Sequence, residues 1–324
     1  MIVSEIYSGS GLGNQIWNLV VPRIVAEKYG YKWGVKKSNP FKASHFLPNI
    51  DFGEEVVGGS GPEGGPPTQL PDGIVNYYKE RVDNYPHQMG GGHDAQVFDN
   101  FLWNQLPDNT KIDGCFQKIG YIQDRRDDII EWLRPNLDVT DYSDDNICVI
   151  HFRGGEYLTT ASWCPPEYYA NASDIMLQIN PNMKFFVVTD DPEEAKKYIP
   201  WASIIGSSTM NEKDPYGEMQ GTGFYKYQGG PISVDYSILN NAKYAIISAS
   251  TFSFWPCWTN TKLKEIIAPR YWFDYKTSNG WWRGDDMIVD SWLYLDQEGS
   301  AIEGCECKVQ YDQYRKTNPF YQSL

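Results

Sequence analysis

The 324-residue chain contains no run near the about 18 apolar residues that a membrane-crossing helix requires. Its opening residues lack the basic start and long apolar stretch of a secretory leader. Neither secretion nor a membrane span is therefore expected, and the expected location is cytoplasmic. The chain also lacks a basic surplus: Lys and Arg total 28 against 42 Asp and Glu, for a net charge of −14. Such a surface repels nucleic acid and anionic membranes, so both are excluded as expected partners. An anionic ligand would need its own local Arg or Lys. Cysteine is sparse, at 6, and irregularly spaced (Cys115, Cys148, Cys164, Cys257, Cys305, Cys307), with no CxxC pair. That pattern is no disulfide framework and fits reduced thiols. The four histidines show no HxxxH spacing, and no convincing DxD clamp occurs, so no metal is expected. Asn171-Ala-Ser has the form of a glycosylation sequon, a triplet common by chance.

What is abundant is aromatic: 15% of the residues, with 12 Trp and 23 Tyr. Such rings fill cores and also stack on sugars and bases. The length suits two domains of roughly 150 residues each. Met1 to Ser8 reads as a strand. A glycine-rich turn follows, then apolar residues at helical spacing from Asn14 to Tyr29. Pro22 should kink or shorten that helix, and Gly30 should stop it. "YKWGV" reads as a second strand, so the start is a strand–turn–helix–strand unit of α/β type with a parallel sheet. Residues 58–108 begin with the loop "GGSGPEGGPP" and read as a long insertion of little assignable structure. "TKIDGCFQKIGYI" reads as a strand entering a turn, and Gln123 to Leu133 as a helix. The polar stretch "TDYSDDN" is the expected boundary, giving domains 1–140 and 141–324. Beyond it, "ICVIHF", "KFFVVTDD", "YAIISAS" and "KEIIAP" read as buried parallel strands, with a helix opening at "PEEAKKYI". The last 40 or so residues are polar and carry no clear pattern.

Four segments carry candidate chemistry. The first is "YSGSGLGNQ". No Lys follows to make a Walker A loop, and counting from Gly9 the sixth position is Asn14, so the dinucleotide fingerprint fails too. Glycine amides at a helix start still suit an anion, which makes Gly11, Gly13, Asn14 and Gln15 binding candidates, against a tight turn without ligand. The second is "HFRGGEY", at the carboxyl end of a buried strand, where open α/β sheets bind ligands. Arg153 offers a rigid fork of donors suited to phosphate, and His151 falls on the same side of an extended chain. A structural Arg153–Glu156 ion pair is the competing reading. The third is "SASTFSFW", whose Ser250, Thr251 and Ser253 fall where a helix cap is expected and could hold a second phosphate. The fourth is "VVTDDPEEA", whose Asp190 and Asp191 could read nucleotide amino groups, bind a cation or cap the next helix.

Together these pieces resemble glycosyltransferase family 11, the α-1,2-fucosyltransferases. The resemblance lies in "GLGNQ", "AEKYG", "GCFQKIGY", "HFRGGEY", "VVTDD" and "DYSILNNAKYAIISASTFSFWPCW", followed by "IIAPRYWF". It implies an α/β GT-B-type fold, two facing Rossmann-like domains with a ligand cleft, the first on the acceptor side. It further implies inverting, metal-independent transfer of L-fucose from GDP-β-L-fucose to a galactose-type hydroxyl, with no cofactor beyond that donor. By that resemblance His151 and Asp235 contact the nucleotide, Ser250 and Thr251 hold phosphate, and Arg153 meets the diphosphate. The sequence departs from the family where Glu156 replaces an Asp, where Pro256 disturbs the helix at "FSFWPCW" and where Pro22 interrupts the first helix. The general base stays open between Glu156 and an acid of the insertion, Asp72, Asp83 or Asp94. The alternatives are a different nucleotide sugar, or a glycan- or nucleotide-sugar-binding protein without turnover.

Overall fold

The computed structural model describes the chain except residues 8, 62–65, 81, 85–93, 97, 206–231, 279–286 and 320–324. It divides into two compact units, Met1–Arg134 and Pro135–Leu324. Each is an α/β body built on a parallel sheet. Among the described residues no helix is long and apolar enough to cross a membrane. The six cysteines form no disulfide.

In the first unit the order is β1 (Ile2–Glu5), α1 (Leu12–Tyr29), β2 (Trp33–Lys36), β3 (Gly58–Ser60), β4 (Gln69–Pro71) and β5 (Asn76–Lys79). It continues with β6 (Val82–Asn84), β7 (Asp94–Gln96), α2 (Asn100–Asn104), β8 (Thr110–Asp113), α3 (Ile119–Ile122) and α4 (Arg126–Trp132). The sheet runs β2-β1-β8-β5, all parallel. All four residues of β1 are buried, Ser4 and Glu5 included, because the strand is covered on both faces. The stretch 58–108 is more ordered than its composition implies. It forms the hairpins β3–β4 and β6–β7 and contributes β5 to the main sheet. Of the acids raised there as bases, Asp72 is exposed, and the side chains of Asp83 and Asp94 lie outside the described residues.

Helix α1 is buried along most of its girth, with Ile16, Trp17, Leu19, Val20 and Val25 inaccessible. Pro22 does not end it. The missing Pro22 N–H would have served the Asn18 carbonyl, and the Ser4 hydroxyl donates to that carbonyl instead, at 2.6 Å. Gly30 then closes the helix in the left-handed region (φ 69°), and the Tyr31 N–H reaches back to the Ala26 carbonyl at 2.9 Å. The segment Gly114–Tyr121 wraps round a buried acid. Glu80 pairs with Lys118 Nζ at 2.6 Å and accepts the amides of Cys115 and Phe116 at 3.0 and 2.7 Å.

The second unit runs β9 (Ile147–Phe152), α5 (Pro166–Ile179), β10 (Lys184–Thr189), α6 (Pro192–Tyr198), β11 (Ser203–Ile204) and α7 (Ile232–Asn241). After these come β12 (Tyr244–Ile247), α8 (Thr251–Trp258), β13 (Glu265–Pro269), β14 (Leu293–Leu295), β15 (Ala301–Glu303) and α9 (Gly304–Thr317). The sheet order is β11-β10-β9-β12-β13-β14-β15, parallel throughout except for antiparallel β15. The chain winds outward from β9 through β10 to β11, then starts again on the other side of β9 with β12. Strand order therefore reverses at β9, and the carboxyl ends of β9 and β12 flank that switch point, the usual ligand crevice of an open α/β sheet. The polar tail supplies the last two strands and α9. Pro256 sits inside α8 without breaking it.

Candidate active site

His151 and Arg153 straddle the end of β9, the strand on which the switch point turns. His151 is buried and pairs across to Ser248, just past β12, with Nδ1 2.7 Å from the hydroxyl oxygen. The Phe252 ring lies tilted over it, 5.6 Å between centroids. Burial, with the nearby Arg153 charge, pushes the imidazole from its ordinary 6.5 down to about 3, so it is neutral at working pH.

Arg153 is held by two carboxylates: Nη1 pairs with Asp190 Oδ2, and Nη2 with Glu156 Oε1. Its guanidinium also lies 4.9 Å from the centre of the Tyr157 ring. Burial works against the cation, but Asp190 and Glu156 outweigh it and raise Arg153 above its ordinary value. For Asp190, burial pushes the carboxyl up, against the pull of Arg153 and the Gly154 amide. That amide donates to Asp190 Oδ1 at 2.9 Å, and the Gly155 amide to Asp191 Oδ2 at 3.1 Å. A Cβ on Gly154 would collide with Asp191, and Gly155 takes φ 56°, so the glycine pair is what lets this loop fold onto the two acids. Asp191 also caps α6 through the Glu194 amide at 3.3 Å. The capping reading thus applies to Asp191, while Asp190 pairs with Arg153. The ion-pair reading of Arg153 and Glu156 also holds, in a three-membered form.

Ser250 caps α8, accepting the Phe252 amide at 3.3 Å, and its own amide donates to the Ser248 carbonyl at 2.7 Å. Ser253 turns inward, donating to the Ser250 carbonyl at 3.1 Å. Thr251 opens the helix and is partly exposed. Asp235 is buried in the first turn of α7, a helix that packs against α8. The arrangement thus sets a fixed cation, a neutral imidazole and a helix N-terminus at the ends of neighbouring strands β9 and β12, which suits an anionic, oxygen-rich ligand. Among the described residues no group of three or more His, Cys, Asp or Glu converges as a metal site.

In the first unit Gly11 caps α1, Gly9 takes φ 73°, and a Cβ on either would meet open space. Gly13 is buried in the first turn of α1. Gln15 is buried, and both ends of its amide are engaged. Nε2 donates to the Pro40 carbonyl at 3.3 Å, and Oε1 accepts the Lys42 amide at 2.9 Å. Through these two contacts it braces the 40–42 segment. Asn14 Oδ1 accepts from Gln117 Nε2 at 3.2 Å. Sequence reasoning missed the network beside this turn. Buried Lys111 reaches Glu5 Oε2 at 3.0 Å, Asp113 Oδ2 at 3.2 Å and the Tyr7 hydroxyl at 3.2 Å, and Tyr7 donates to Asp113. The alternation in "TKID" is the only trace it leaves in the sequence.

The fold is α/β, and His151, Arg153 and the start of α8 lie together at the carboxyl ends of neighbouring strands of its second sheet. No protein-family model matches the chain. It is similar to the "Alpha-1,2-colitosyltransferase" of Escherichia coli, 27% identical over 63% of this chain and 69% of that protein. It is also similar to the "O-antigen biosynthesis glycosyltransferase WbnK" of the same organism, 24% identical over 61% of this chain and 66% of the relative. The matched stretch thus spans about two thirds of each relative, and both homologues are glycosyltransferases. Solved structures of the NodZ α-1,6-fucosyltransferase align as well. One co-crystallised with GDP gives a TM-score of 0.37 at 12% identity, covering 93% of this chain and 96% of that one. One soaked with GDP-fucose gives 0.39 at 13%, covering 93% and 98%.

Proposed function

We propose that the chain is an inverting glycosyltransferase that moves L-fucose from GDP-β-L-fucose to a hydroxyl of a galactose-type acceptor in α-1,2 linkage. Colitose in place of fucose is the second reading, favoured by the name of one relative. The observation that carries the proposal is the site at the switch point. Arg153 stands at the end of β9, with neutral His151 and the Ser250-capped helix α8 close by, in a chain whose homologues are glycosyltransferases.

In the reaction the acceptor oxygen bonds to the anomeric carbon as the bond from that carbon to the β-phosphate oxygen breaks. GDP leaves with the electron pair, and the acceptor proton passes to a base. Negative charge grows on the leaving diphosphate, so the Arg153 guanidinium and the amides at the start of α8 stabilise the transition state more than the ground state. Ser250 and Thr251 hold phosphate in this reading, and His151 and Asp235 contact the nucleotide. Asp190 orients Arg153. Glu156, exposed and bound to Arg153, is the candidate base. Gly11, Gly13 and Asn14 keep their assignment as donor contacts, and the mechanism uses no metal. The test is GDP release from GDP-fucose and from GDP-colitose with a panel of β-galactosides, in the presence of EDTA. Transfer of either sugar supports the proposal. GDP-fucose binding without turnover favours a binding protein, and the absence of both binding and transfer rejects the proposal.

A further inference from the structure

We infer that Ser248 is a positioning residue: its hydroxyl donates to His151 Nδ1 and so fixes the imidazole as the tautomer that carries its proton on Nε2. The use of that proton toward the nucleotide rests on the proposed function; the tautomer itself does not. A neutral imidazole has one donor and one acceptor nitrogen, and the partner of one decides the role of the other. The partner here is a hydroxyl, 2.7 Å away and buried, which can donate. A carbonyl or carboxylate in its place would force the proton onto Nδ1. Nε2 would then be a lone pair that repels phosphate and sugar oxygens. With a hydroxyl donor on Nδ1, Nε2 becomes a neutral N–H that suits them.

Two further observations bear on this role: the ring stays neutral, and the Ser248 carbonyl joins the neighbouring turn. The ring stays uncharged at working pH because burial and Arg153 hold its protonation far below the ordinary range. It therefore has an Nε2 proton to offer only if Nδ1 is the acceptor. Ser248 is also the joint of the neighbouring phosphate turn. Its carbonyl accepts the Ser250 amide at 2.7 Å and the Ser253 hydroxyl at 3.4 Å. One residue thus links the imidazole on β9 to the cap of α8, so the orientation of His151 and the shape of the helix start are set together. Ser248 opens the segment "SASTFSFW", yet sequence assigns it no role, because its partner lies 97 positions away and meets it only when β12 pairs with β9.

Long-range proton–nitrogen correlation on the histidine-labelled full chain at pH 7 tests the tautomer directly in the wild type, so it does not depend on any variant folding. The expected pattern is an unprotonated Nδ1 and a protonated Nε2 for the buried ring. A proton on Nδ1 overturns the inference. Ser248→Ala should give a mixture of tautomers and weaken GDP binding about two- to tenfold, the range of one net hydrogen bond. Ser248→Thr, which keeps the hydroxyl, should restore both. A Ser248→Ala variant that folds with the wild-type tautomer unchanged also overturns it. If wild-type chain binds no GDP, the proposed function fails, while the nitrogen spectra still decide the role of Ser248.

Discussion

Arg153 carries a single positive charge between Asp190 and Glu156, so the trio bears a net negative charge before any ligand arrives. A diphosphate must therefore win the guanidinium from a resident carboxylate, and the exposed Glu156 is the easier to displace. Glu156→Gln should tighten GDP binding several-fold by calorimetry while turnover falls, because the competing charge and the candidate base go together. Unchanged GDP affinity would remove Glu156 from that competition. Arg153→Ala should lower transfer on the order of a hundredfold or more, as loss of a preorganised charge at a leaving group does. Arg153→Lys should restore little, since a point charge cannot hold two groups through a planar fork. At this scale Arg153 and His151 were legible because Arg, His and two glycines crowd a strand end. The Asp190 contact was not, because Arg153 and Asp190 are 37 positions apart and meet only through the pairing of β9 with β10. The contacts of Gln15 were hidden for a related reason. Its neighbours Pro40 and Lys42 come from a different stretch of chain, and nothing local signals that its amide is already engaged.

Helices and strands show where local rules bend. Pro22 inside α1 should by rule kink or end the helix, yet the Ser4 hydroxyl takes over the Asn18 carbonyl that Pro22 leaves unserved. Ser4→Ala should destabilise the chain by about 1–3 kcal/mol, the range for a buried polar group losing its partner. Adding Pro22→Ala should recover part of that loss, because the new N–H can serve the same carbonyl. Denaturant unfolding of both single variants and the double variant completes this double-mutant cycle, and additivity would mean Ser4 and Pro22 are uncoupled. The central strands β9, β10, β12 and β13 were readable from unbroken apolar runs, which fully covered parallel strands require. Strand β5, "NYYK", was not. It is a polar edge strand with no alternation, and only its pairing with β8 defines it. The strands β14 and β15 escaped because three residues each are too few to show a period.

At the scale of the whole molecule, stability should fall in acid by two separable routes. His151 is held at about 3 against an ordinary 6.5, so the unfolded chain binds a proton that the native chain refuses. Its contribution is complete above pH 6.5 and is lost as pH falls from there toward 3. In the first unit burial pushes Glu5 up, but the Ser38 hydroxyl and the Lys111 charge prevail and hold it below its ordinary 4.5. Its contribution is present above about 4.5 and disappears as pH falls through the lowered value. Hydrogen exchange across pH 3 to 8 should show β9 and β12 amides weakening first and β1 amides only below about 4.5. His151→Asn should flatten the upper part of that profile, and an unchanged slope would deny His151 its share. The parallel α/β character of the chain could be read from sequence. The ion network of Lys111 could not, since Glu5 and Lys111 become neighbours only when β1 pairs with β8.

Among the described residues the sheet of the second unit ends in β11, two residues long, on one side and in β15, three residues and antiparallel, on the other. Every longer strand lies between them. Short edges offer few unpaired amides and carbonyls for a foreign chain to copy, so the apolar runs that make this unit recognisable are kept from templating aggregation. The polar tail that looked featureless as sequence therefore guards the solubility of the sheet. Shortening the chain before β14 would expose the carboxyl-side edge of β13, a five-residue strand, as a surface open to strand addition.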